Sequence, residues 1–156
     1  MPKDQASSEQ TVWFLNGLLT FRRSAESGPD HVAIAEQVMV QGDGPPLHRH
    51  EREDEVFHIL EGVIRFQVGG TEILAHAGET LVGPKGVPHS FRIESPTAHF
   101  LTMTVGGDFE RFAREMARPA GKGLPPRAEP TPEMQAALAE AAGRNHISVL
   151  GPPLAA

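Results

Sequence analysis

The chain has no cysteine, one tryptophan and no long apolar run. Without cysteine there is no disulfide framework, no zinc ribbon and no thiol nucleophile, so any metal must be held by nitrogen and oxygen. No apolar run approaches the roughly 18 residues that a membrane-spanning helix needs. The start, "MPKDQASSEQ", lacks the apolar core of a signal peptide, which gives the expectation of a cytoplasmic protein. Positive charge is also short: 14 Lys and Arg stand against 20 Asp and Glu, for a net charge of -6 and a pI near 5.7. Nothing in that balance suggests a nucleic-acid partner. Internal repeats and low-complexity tracts are absent as well.

What is present is punctuation. Sixteen glycines and 14 prolines are spread along 156 residues rather than massed in one tract. Such spacing suits short strands and tight turns better than a helical bundle. Residues 1–10 read as a flexible N-terminal tail. Apolar segments then recur between turn signals: "TVWFLNGLLTF", "HVAIAEQVMVQG", "EVFHILEG", "VIRFQV", "TEILAHAG", "ETLVGP", "HSFRIES" and "AHFLTMTV". In the second of these, Val32, Ile34, Val38 and Val40 fall at period two, with Glu36 interrupting the apolar face. Gly69-Gly70 marks a hairpin, since both central residues of a type I′ turn need positive φ. The series predicts an all-β sandwich or barrel over residues 11–105.

After Gly106-Gly107 the pattern becomes helical. Asp108 reads as the N-cap of a helix whose apolar face is Phe109, Phe112 and Met116. An irregular connector, "RPAGKGLPPRAEP", follows. Thr131-Pro132 then starts a second helix, with Met134, Ala137, Leu138 and Ala141 as its stripe and Gly143 as its stop. "ISVLGPPL" returns as a last strand or packs as a tail. Residues 106–156 are thus expected to form a C-terminal helical extension and tail.

The ionisable chemistry concentrates in "HRHEREDEVFHILEG". On an extended backbone, residues two apart share a face, so His48 and His50 present paired imidazoles. Four charged residues, most simply a solvated bend, separate them from Glu55. That carboxylate shares its strand face with Phe57 and Ile59, and a carboxylate aimed at an apolar interior is costly unless paired or metal-bound. His89 is a fourth candidate, after the turn at Pro84 and Gly86. Three imidazoles and a carboxylate suit Fe(II), Mn(II), Co(II), Ni(II) or Zn(II), and leave two positions of an octahedral ion open. Phe57, Ile59, Phe66 and Phe91 are core residues that also form the candidate substrate wall. Glu53 is a weak candidate for a proton-handling group at the mouth. His31, His58, His76, His99 and His146 are read as structural or surface residues.

The spacing runs Gly42, five residues, His48, one, His50, four, Glu55, six, Gly62. Fifteen residues later come Gly78, five, Pro84, one, Gly86, two, His89. This resembles both conserved motifs of the cupin superfamily, in particular single-domain, quercetinase-like cupins that cleave flavonols. One departure is Ile93, where the second motif commonly ends in Asn. The resemblance implies a small antiparallel jelly-roll β-barrel holding one divalent transition metal (Fe, Ni, Co, Mn or Zn) on His48, His50, Glu55 and His89. It further implies a dioxygenase acting with dioxygen on a small aromatic or enolisable substrate such as a flavonol, with Glu55 as ligand and catalytic base. Two alternatives share the site: a non-oxidative polyketide cyclase or isomerase, and a small-ligand-binding module. Homodimer formation is expected through the apolar edge at Trp13, Phe14 and Leu15.

Overall fold

The computed structural model describes residues 10–156. Positions 1–9 of the expected tail lie outside the described residues, and Gln10 already belongs to the first strand. Twelve strands pair antiparallel into two sheets. In chain order the first sheet contains β1 (Gln10–Phe14), β2 (Gly17–Arg23) and β3 (Val32–Val40), then β5 (Glu55–Glu61) and β8 (Thr80–Gly83). It is completed by β10 (Thr97–Val105) and the two-residue β11 (Arg118–Pro119), in spatial order β11-β1-β2-β3-β10-β5-β8. The second sheet contains β4 (Pro46–His50), β6 (Val63–Val68), β7 (Thr71–His76), β9 (His89–Ile93) and β12 (Ile147–Pro153). Its order is β12-β4-β9-β6-β7. The two sheets face one another as a jelly-roll barrel, and two helices follow, α1 (Asp108–Met116) and α2 (Pro132–Arg144).

Period two builds these strands, and in β3 the structure selects the inward side that the sequence leaves open. Ala33, Ala35, Gln37 and Met39 point inward and are buried, while Val32, Ile34, Val38 and Val40 are half-buried on the outside. The interior there takes two alanines, Gln37 and Met39. It tolerates Gln37 because the amide donates to Thr102 Oγ1 at 2.9 Å on neighbouring β10. Glu36, which interrupts the outer face, is held there by Arg22 and His99.

The Gly69-Gly70 hairpin joins β6 and β7 with Val68 opposite Thr71. Only Gly69 has positive φ, the requirement of a II′ rather than a I′ turn. At α1 the cap is Gly107 rather than Asp108. Asp108 enters the first turn because Arg52 and Arg111 hold its carboxylate at 2.7 and 2.5 Å. Thr131 does cap α2, accepting from Met134 N. That helix runs past Gly143 to Arg144, and Met134 and Ala137 on its expected stripe are exposed. Only its C-terminal half, at Ala141 and Ala142, is buried. Residues 147–153 form a true strand, β12, added to the edge of β4.

Buried side chains fall into two clusters. One fills the closed end of the barrel with Phe57, Ile59, Ile64, Phe66, Phe91, Ile93 and Phe100. The other joins Phe14, Leu19 and Phe21 of the first strands to Phe109 and Phe112 of α1, Ala141 and Ala142 of α2, and Ile147 of β12. Among the described residues, no helix is long and apolar enough to cross a membrane.

Candidate metal centre

Strand register brings the four candidate donors together. His48 on β4 stands directly opposite His89 on β9. Glu55, the first residue of β5, pairs with Gly83 of β8. A β-carbon at Gly83 would lie 2.8 Å from the His89 ring, so only glycine leaves the imidazole its place. The donor atoms of His48, His50, Glu55 and His89 all lie within 4.8 Å of one another. Glu55 Oε2 sits at the centre, 2.7 Å from His50 Nε2, 2.9 Å from His89 Nε2 and 3.7 Å from His48 Nε2.

Each imidazole is fixed from behind. His48 Nδ1–H donates to the Pro46 carbonyl at 2.9 Å, and His89 Nδ1–H to the Val87 carbonyl at 3.1 Å. His50 Nδ1–H donates to Glu53 Oε1 at 3.2 Å. With their Nδ1 protons directed outward, neutral imidazoles present three Nε2 lone pairs to a carboxylate. Lone pairs facing an anion repel unless a cation lies between them. His50 Nε2 illustrates the conflict: it lies beside Glu55 yet is off-line for a hydrogen bond and has no partner. Donors about 2.1 Å from one ion stand about 3 to 4.2 Å apart, close to the 2.7–3.7 Å that separate Glu55 Oε2 from the three Nε2 atoms. The nitrogen and oxygen set therefore fits a divalent ion, and these residues could hold one.

The titration behaviour of the bare cluster has the same origin. Burial opposes charge on His50, but Glu55 and Glu53 outweigh it and push the imidazole up to about 10. Burial likewise works against the Glu55 carboxylate, yet the His50 charge and the three imidazole contacts hold it well below its usual value. Burial dominates at His48 and lowers it. A proton on His50 thus supplies the positive charge that the cluster demands.

A largely apolar cavity opens beside the donors. Its barrel side consists of Phe14, Gln37, Met39, Pro45, Pro46 and Phe91 with His48, His50 and Glu55. The other side comes from the C-terminal segment: Phe109 and Phe112 of α1, Leu138 and Ala142 of α2, and Ile147 and Val149 of β12. Pairing of β12 with β4 sets Ile147 opposite His50 and Val149 opposite His48. Among the described residues, no lysine or arginine lines the cavity.

Of the four residues expected to form a substrate wall, Phe91 lines this cavity, whereas Phe57, Ile59 and Phe66 do not. Phe57 and Ile59 continue inward from Glu55 along β5, each two-residue step carrying the side chain about 6.6 Å deeper into the closed core. Gln37 and the C-terminal wall were missed by sequence reasoning. Glu36 in the half-buried phase drew attention away from Gln37, and nothing local to residues 109–149 reports what they will face.

The charged bend is also more than a solvated loop. Arg52 binds Asp108 of α1, Asp54 accepts from Lys85 N, and Glu51 accepts from Arg49 and Ser148. Glu53 is not at the mouth; it is 2% exposed, behind His50. Three of the five remaining histidines bond elsewhere: His58 to Thr80 Oγ1, His31 to the Ala25 carbonyl and His99 to Glu36.

Residues 35–105 match the cupin domain family. Over 87 residues, 53% of this chain, the sequence is 32% identical to the quercetin 2,3-dioxygenase of Bacillus subtilis (strain 168). The match spans 26% of that relative's length. The fold is similar to that of a protein described as a predicted oxalate decarboxylase from Thermotoga maritima, with TM-score 0.56, 21% identity, and coverage of 63% of this chain and 91% of that one. It is also similar to the polyketide cyclase RemF from Streptomyces resistomycificus, with TM-score 0.53, 20% identity, and coverage of 67% and 78%. At these identities the two structures speak for the fold alone.

Proposed function

From the match of residues 35–105 to the cupin domain family, we propose a metal-dependent enzyme, a dioxygenase acting on a small aromatic or enolisable molecule such as a flavonol. The observation that carries this reading is a cluster of four nitrogen and oxygen donors, three of which, His48, His50 and Glu55, line an apolar cavity. The likeness to quercetin 2,3-dioxygenase supports it.

His48, His50, Glu55 and His89 would hold one divalent ion, which when bound supplies Lewis-acid polarisation and, if redox-capable, a path for electrons to dioxygen. The rest of the chemistry belongs to the chain. Phe14, Phe91, Phe109 and Phe112 would hold a planar ring and keep water from it. Glu55 borders the cavity and would take the proton from a substrate hydroxyl.

Oxygen uptake by protein loaded separately with Fe, Ni, Co, Mn and Zn, offered a flavonol panel, tests the proposal. Uptake matching flavonol loss with a redox-capable metal, and not with Zn, is expected. No uptake with any loading overturns the dioxygenase reading and moves the same site to non-oxidative cyclisation or isomerisation. Glu55→Gln should keep the fold and lose most turnover; unchanged turnover removes Glu55 from the mechanism. For His48→Ala and His89→Ala, metal analysis should find loss of the ion, and full occupancy sinks the ligand set. The expected dimer surface at Trp13, Phe14 and Leu15 is not a free edge, because β11 pairs with β1 and Phe14 and Leu15 line the cavity; a homodimer remains part of the proposal, and light scattering showing a concentration-independent monomer dismisses it.

A further inference from the structure

Two of the three clustered imidazoles rest on backbone carbonyls, and the third rests on a carboxylate. That carboxylate, Glu53, is among the most deeply buried charged side chains of the chain. Its Oε1 accepts from His50 Nδ1–H at 3.2 Å and from the backbone N–H of Phe109 at 2.8 Å. Phe109 is the second residue of α1, so this N–H is one of the helix's unpaired donors. Glu53 Oε2, packed beside Gly106, has no hydrogen-bond partner. Burying a carboxylate with one oxygen unpaired is costly, and an amide at this position could accept the same two hydrogens without a charge. The charge therefore serves the imidazole.

We infer that Glu53 is a positioning residue with two linked tasks: it makes His50 the strongest donor of the set, and it fastens helix α1 to the metal centre. The inference rests on the reading of His48, His50, Glu55 and His89 as ligands. A cation drawing on His50 Nε2 makes the Nδ1–H a stronger donor, which tightens its bond to Glu53 Oε1. The same oxygen holds the first turn of α1, and α1 carries Phe109 and Phe112 into the cavity. Metal loading thereby firms the aromatic wall of the site.

Cobalt(II) affinity by chelator competition, and hydrogen exchange of the Phe109–Met116 amides with and without cobalt, test both tasks in wild type, Glu53→Gln and Glu53→Ala. Wild type should bind cobalt and exchange its α1 amides more slowly when loaded. Glu53→Gln, which keeps an oxygen acceptor but not the charge, should lose about tenfold in affinity, and Glu53→Ala up to about a hundredfold. In Glu53→Ala, cobalt should no longer alter α1 exchange. Variant affinities within about threefold of wild type, or an intact α1 response in Glu53→Ala, overturn the inference while leaving the ligand set standing. Wild type that binds no cobalt overturns both. Glu53→Gln has nearly the shape of the native side chain and decides the affinity question should Glu53→Ala fail to fold.

Discussion

The two ends of the barrel use the same side chains differently. At the closed end, Phe57, Phe66, Phe91 and Phe100 meet ring to ring at 5.0–5.6 Å and fill the space between the sheets themselves. At the open end, Phe14, Phe109 and Phe112 also meet edge to face, at 5.7 and 6.2 Å, yet they leave a cavity beside the donor cluster. The difference lies in where the walls originate. Facing strands of one barrel close the first end, while the second is walled by a segment that arrives from outside the barrel motifs. An aromatic packed on all sides supports the fold, whereas one packed on a single side is available to a ligand.

The largest effect should come from breaking the closed end. Phe66→Ala removes a fully buried ring from a self-filled cluster and should cost about 3–5 kcal/mol in denaturant unfolding. A loss below that of a cavity-wall residue would mean that the closed end is looser than its packing indicates.

Acidity sharpens the contrast next, since the closed cluster contains no ionisable side chain. In metal-free protein, the raised His50 contributes stability that is fully present below its unfolded pKa near 6.5 and is lost as pH rises toward about 10. The slope is at most about 1.4 kcal/mol per pH unit for one proton. Glu55, held low, contributes stability that is present above about 4.5 and lost as pH falls through its folded value. His48 is lowered by burial, so its protonation below about 6.5 favours unfolding. Metal-free stability should therefore peak near neutrality and fall on the alkaline side, and saturating zinc should abolish that alkaline fall. An unchanged thermal midpoint from pH 6.5 to 9.5 without metal would count against the buried proton on His50.

Phe112→Ala, on the cavity wall, should cost less than Phe66→Ala, about 1–2 kcal/mol, because one side of its ring already faces open space. The enlarged cavity should bind bulkier ring compounds more tightly, as read by fluorescence or calorimetric titration. Smallest of all, Met134→Ala on the exposed half of α2 should move stability by no more than about 0.5 kcal/mol. A larger change would show that the free face of α2 is covered in solution.

The sequence by itself determined the β class, the hairpins and the donor set. His48, His50, Glu55 and His89 were legible because their signals are local: period two along a strand, a bend of fixed length, a turn at Pro84 and Gly86. Only the tertiary structure decided which face of β3 looks inward, because both faces of that strand carry apolar residues at period two and hydrophobicity alone does not choose Ala33 and Ala35 over Val32 and Ile34. It alone placed Gln37 on the cavity, Glu53 behind His50 and the residue 109–149 wall in front of the donors. Glu53 and Phe109 are 56 positions apart, and no period along the chain records a contact that exists only once the extension has folded back onto the barrel. Local periodicity specifies what each strand presents, but the cavity is the space left where separately specified elements meet.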